Sequence, residues 1–157
     1  MKRLVFGLLL MASTQVFADP SPADEISARS GLPVSDVNAL LANCDSTQSS
    51  MNFCAWRDQI VAERELQRVV EQQASAHPER KTALETRIAR WKKARDASCE
   101  KSSRQQWDGG SMRPAAQAIC ATAATRKMTK KLFAITDHRS KARASGLGGA
   151  AGTDPRR

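Results

Sequence analysis

The stretch CEKSSRQQWDGGSMRPAAQAIC, residues 99–120, decides the fold of this chain. At its centre Asp108-Gly109-Gly110 is a turn signal, because glycine reaches backbone conformations closed to other residues. Pro114 then suits the first turn of a helix, where a missing N–H costs nothing. Cys99 stands about two helical turns before the glycines and Cys120 about two turns after Pro114. In an antiparallel helical hairpin these positions come level, so a Cys99–Cys120 bond would staple the two helices together.

Working outward, both arms carry helical periodicity. From Pro78 to Gln106, Leu84, Ile88, Trp91 and then Ser98 or Cys99 fall on one stripe. After Pro114, the core candidates are Ala115, Ile119, Cys120, Ala123, Met128, Leu132 and Phe133. Upstream, Ser50 to Ser75 reads as a long helix. Its apolar residues Met51, Phe53, Cys54, Trp56, Ile60, Val61, Leu66, Val69 and Val70 recur largely at steps of three and four. Two short helices come first, Pro22 to Ser30 and Val34 to Ala42, parted by Gly31-Leu32-Pro33. Tyrosine is absent and no run alternates over strand length. The expectation is an all-α protein: a small antiparallel bundle of three main helices plus short N-terminal ones, stapled by two disulfides.

Cys44 precedes the long helix and Cys54 lies in its second turn, so a Cys44–Cys54 bond would tie the entry segment down. Four cysteines permit three connectivities, and a Cys54–Cys99 link would refute this one. Each bridge would add roughly 3 kcal/mol in the loop-entropy model, a large share of a small domain's stability. A metal site wants close C-x-x-C pairs, and the chain has none.

Lys2 and Arg3, the apolar run Leu4 to Met11 and Val16-Phe17-Ala18 form the pattern of an export signal, with cleavage expected after Ala18. The expected layout is a signal peptide over 1–18, a helical domain over 19–136 and a basic disordered tail over 137–157. The tail is rich in Gly, Ala and Arg, and Leu147 is its one large apolar residue. Paired cysteines behind an export signal place the protein in the periplasm or outside the cell. No other stretch is apolar enough to span a membrane. Without the signal, 23 basic residues stand against 16 acidic ones, a net charge of +7.

Three blocks read together. The first is CDSTQSSMNFCAWRDQIVAERELQ from Cys44, with Cys54-Ala55, Glu63 and Leu66-Gln67 as its marked positions. The second is Trp91-Lys92-Lys93-Ala94-Arg95-Asp96-Ala97-Ser98-Cys99. The third is Gly109-Gly110-Ser111-Met112 followed by Cys120, Thr125-Arg126 and Leu132. Together these blocks resemble the LprI-like (YecT-like) exported proteins, whose founding function is lysozyme inhibition. Glu63 and Gln67 stand where the family usually has Asp and Asn. Ile88 replaces a Gln, and Ser98 replaces a Glu. The resemblance implies a lysozyme or another envelope protein as partner, and makes Glu63, Leu66, Trp91, Arg95, Asp96, Gly109, Gly110, Thr125 and Arg126 structural or partner-contacting residues.

The residues themselves point away from catalysis and cofactors. The two histidines, His77 beside Pro78 and His138 in the tail, are not evident bases, and the cysteines serve best in bridges. A peptidoglycan-active glycosidase would need a carboxylate pair from among Asp58, Glu63, Glu65, Asp96 and Glu100. Trp91 and Arg95, one turn apart, suit a cation–π contact, and Asp96 suits an ion pair with Arg95 or Arg126. Ser27 to Leu41 mimics a helix-turn-helix, but an exported protein meets no chromosome, so nucleic acid is not an expected partner. Arg57, Arg64 and Arg68 fall on one helix face, and Arg126, Lys127, Lys130 and Lys131 cluster later. Such faces suit anionic envelope components, lipid headgroups or peptidoglycan. They would repel a basic lysozyme unless a local acidic patch faces it.

Overall fold

A computed structural model describes residues 19–147. The expected signal peptide lies outside the described residues, as does 148–157. The helices are α1 Pro22–Ser30, α2 Val34–Ala42, α3 Gln48–Ala76, α4 Lys81–Trp107 and α5 Arg113–Leu147, with a 3-10 turn at Pro78–Arg80 leading into α4. There is no strand among the described residues. The boundary expected at 136 is not a helix end. α5 runs on to Leu147 through a stretch rich in Ala, Arg and Lys. These residues favour helix, and extending an existing helix avoids a new nucleation cost.

The helix ends follow local chemistry. Ser21 caps α1 in a capping box: its hydroxyl accepts from the Asp24 amide, and the Asp24 carboxylate accepts from the Ser21 amide and hydroxyl. Those bonds, the hydroxyl's first, hold the Asp24 carboxyl below its ordinary range. Gly31 ends α1 at φ 75°, in the left-handed region. The Thr47 hydroxyl caps α3 by accepting from the Ser50 amide at 3.0 Å.

Short turns join α3 to α4 and α4 to α5, so α4 runs antiparallel to both and leaves α3 and α5 parallel. Two amides register this parallel pair. Asn52 donates to the Ser111 carbonyl at 3.2 Å and Gln73 to the Leu132 carbonyl at 2.8 Å, both 59 residues apart in sequence. Equal offsets near opposite ends mean that the helices advance together.

The main core joins Leu66, Val69 and Val70 of α3 to Ile88 of α4 and Leu132 of α5, with Leu84, Trp91 and Met128 around them. A second cluster seats α1 and α2 on α3 through Ala23, Ile26, Val37 and Ile60, bordered by Leu41, Phe53 and Trp56. Both disulfides join the expected partners, Cys44 to Cys54 and Cys99 to Cys120, with Cα separations of 5.7 and 5.6 Å.

The inward face of α5 differs from expectation. Ile119 is 58 % exposed and Phe133 49 %, Ala123 is exposed, and Val61 on α3 is also turned outward. The buried face is Ala115, Ala118, Ala121, Thr122, Thr125, Thr129 and Leu132. Small side chains let α5 lie close against its neighbours, an approach that isoleucine and phenylalanine would prevent. The threonines tolerate burial because each hydroxyl donates to a carbonyl one turn back: Thr122 to Ala118, Thr125 to Ala121 and Thr129 to Thr125.

The two motif glycines differ. A Cβ on Gly110 would stand 2.8 Å from the Trp107 carbonyl oxygen, which already accepts from the Gly110 amide, whereas a Cβ on Gly109 meets nothing. Gly110→Ala is therefore expected to cost about 1–3 kcal/mol and Gly109→Ala less than about 0.5 kcal/mol. Thermal or urea unfolding of the oxidised protein checks this; equal effects would refute it.

Candidate functional site

The stripe on α4 that faces the other helices is Leu84, Ile88, Trp91, Arg95, Cys99 and Ser103. Arg95 fills the gap that apolar periodicity left between Trp91 and Cys99. Its side chain is 3 % exposed, so its charge must be matched inside the protein. Nη2 donates to Glu63 Oε1 of α3 at 2.7 Å and Nη1 to Thr125 Oγ1 of α5 at 2.6 Å, while Nε donates to Asp96 Oδ1 at 2.8 Å. The guanidinium lies 5.4 Å from the Trp91 ring centroid, a cation–π contact. Gln59 donates to the same Glu63 oxygen at 2.9 Å. One residue thus ties all three long helices, through bonds whose directions its planar fork dictates.

The family-motif residues converge here with three exceptions. Glu63, Trp91, Arg95, Asp96 and Thr125 meet, and Leu66 lies fully buried one turn along α3 from Glu63. Gly109 and Gly110 sit apart, in the α4–α5 turn. Arg126 points outward, and the partner of Asp96 is Arg95, not Arg126.

The polar surfaces are unequal. Residues 19–47, which hold α1 and α2, carry five carboxylates against Arg29, a net charge of −4. Residues 48–147 carry 20 basic side chains against ten carboxylates, a net charge of +10. α1 and α2 pack together on α3 as one lobe. Asp19, Asp24, Asp36 and Asp45 are exposed there and in no ion pair among the described residues. The basic face expected on α3 is largely neutralised: Arg57 pairs with Asp58 at 2.9 Å and Arg64 with Glu25 at 2.7 Å. On α5 the exposed row Ile119, Ala123, Arg126, Lys130 and Phe133 repeats at steps of four and three, flanked by Lys127 and Lys131. Apolar periodicity favours Ile119 and Phe133 for the inside; the Ala-Thr repeat on the opposite face of α5 was the available signal.

Between the N-terminal halves of α3 and α5 lies a groove of about 400 Å³. Phe53, Trp56, Pro114 and Ala118 form its apolar wall, and Asn52, Gln59 and Gln117 are its polar groups. Phe53 and Trp56 meet edge-on, ring centroids 6.1 Å apart. No charged side chain lines the groove.

A family model described as "Lysozyme inhibitor LprI" matches residues 42–132. The chain belongs to the LprI family. The matched span starts at the end of α2 and takes in both disulfides, the Arg95 junction and the groove. α1 and nearly all of α2 precede it. No curated protein and no solved structure matches the chain.

Arg95→Ala is expected to cost about 3–5 kcal/mol, since it strands Glu63 and opens a void. Arg95→Lys should not restore the loss, because an ammonium cannot span the same acceptors in one plane. Asp96→Ala, at a side chain 52 % exposed, should cost less than about 1 kcal/mol. Denaturant unfolding of the three variants tests this ranking, which full rescue by lysine would break.

Proposed function

We propose that this protein acts outside the cytoplasm as a non-enzymatic inhibitor of lysozyme. The observation that carries the reading is the family match across the whole disulfide-stapled helical core. Two bridges with no free cysteine among the described residues suit an oxidising compartment. The groove contains no carboxylate. Asp58, Glu63, Asp96 and Glu100, four of the five carboxylates a glycosidase would draw on, are each paired with an arginine.

The objection from overall basic charge weakens once the lobes are separated. A basic enzyme is drawn toward the acidic α1–α2 lobe and repelled by α4 and α5, so the charge distribution orients the encounter. Its effect fades as salt shortens the Debye length.

The oxidised full chain should inhibit an animal-type lysozyme on bacterial cell walls near a one-to-one ratio. Asp36→Asn with Asp45→Asn should weaken inhibition several-fold at low salt and less at high salt. Undiminished lysozyme activity at tenfold inhibitor excess would overturn the proposal.

One observation favours a second reading, binding to an anionic membrane surface. The outward row of α5 sets Ile119 and Phe133 at its ends and cations between them. Apolar side chains beside lysine and arginine are how a surface helix engages charged lipid. Under this reading, vesicles rich in phosphatidylglycerol sediment the protein while neutral phosphatidylcholine vesicles do not. Phe133→Ser with Lys130→Glu should then reduce sedimentation several-fold, and equal binding by neutral vesicles would reject the reading.

A further inference from the structure

The groove between α3 and α5 shares Gln59 with the Arg95 junction and no residue with the charged surfaces. Its lining is chemically selective. In a chain with 26 % charged residues, none lines it. An ionic ligand would lose its hydration there without a counter-charge in return. The groove therefore suits a neutral molecule with an apolar face and a few polar groups, the ordinary composition of a ligand site.

The amides narrow the class further. Gln59 has its Nε2 engaged by Glu63, which fixes the side chain and leaves its carbonyl oxygen as an acceptor. Asn52 is held at both ends, accepting from Gln48 at 3.1 Å and donating to the Ser111 carbonyl. The Gln117 side chain makes no hydrogen bond among the described residues and offers both a donor and an acceptor. Beside these, Trp56, Phe53 and Pro114 supply an apolar wall in which the two rings stand edge-on to each other. A matching ligand has one N–H for Gln59, one carbonyl or hydroxyl for Gln117, and C–H groups for the rings.

An extended peptide meets those demands poorly. Both walls are helices and neither is an open strand edge, so its repeating donors and acceptors would find no ladder to join. Discrete amide side chains suit a ligand whose polar groups are discrete, and an amide-bearing sugar is one.

We propose that the α3–α5 groove binds a neutral 2-acetamido sugar, with Trp56 and Phe53 against the sugar's C–H face and acetamido methyl, and Gln59 and Gln117 on its polar groups. The site does not depend on lysozyme inhibition, and its test contains no enzyme.

Isothermal titration of the oxidised full chain with tetra-N-acetylchitotetraose tests it, with maltotetraose and tetra-alanine amide as controls. Saturable binding by the acetamido sugar, at least tenfold tighter than either control, is expected. Gln117→Ala should weaken it at least fivefold with an unchanged melting temperature. Trp56→Ala should abolish it, but Trp56 also borders the α1–α2 core, so Gln117→Ala is the decisive variant. Absence of binding at millimolar sugar overturns the proposal. So does equal binding of a control, or binding indifferent to Gln117→Ala.

Discussion

The guanidinium of Arg95 is the interaction on which the rest of the structure depends. A charge withdrawn from water is tolerated only where its hydrogen bonds are replaced and its charge is met. Here α3 supplies Glu63, α5 supplies Thr125, and α4 supplies Trp91 and Asp96. Neither Glu63 nor Thr125 tolerates a shifted helix, because each bond has a fixed direction. Hydrophobic contacts alone would allow neighbouring registers along the small-residue face of α5. The arginine, with the Asn52 and Gln73 bonds toward either end of the parallel pair, selects one. The Cys99–Cys120 bridge closes the α4–α5 hairpin covalently.

That framework leaves three surfaces of different chemistry: an acidic α1–α2 lobe, a basic row with exposed apolar ends on α5, and an uncharged aromatic and amide groove between α3 and α5. The groove lies within the LprI-matched span, whereas α1 and nearly all of α2 lie outside it. The α1–α2 helices are anchored by Ile26 and Val37, both fully buried, and by the Glu25–Arg64 pair. Their acidity is thus carried on a firmly seated lobe, where it can oppose the basic remainder of the chain.

Much of this was legible from the chain. Helix ends at Ser30, Gly31 and Pro78 follow from capping and proline chemistry, and the hairpin follows from the glycine turn between two cysteines. The inward face of α5 was not legible by apolar periodicity, which favours Ile119 and Phe133. Alanine and threonine are weak hydrophobic signals, and their value appears only when another helix must come close. Arg95 was likewise legible as a partner of Trp91 but not as a buried core residue, because a charge is buried only where partners from distant sequence converge.

The sequence by itself determined the all-α class, the five helical segments and the local staples, since propensity, caps and hairpin geometry act over short separations. Only the tertiary structure decided that α3 and α5 run parallel at close range, and that Glu63, Arg95 and Thr125 meet. It alone left a neutral groove between Trp56 and Gln117. Those features arise from side chains far apart in the chain, whose energies depend on distance and burial and therefore exist only once the helices have packed.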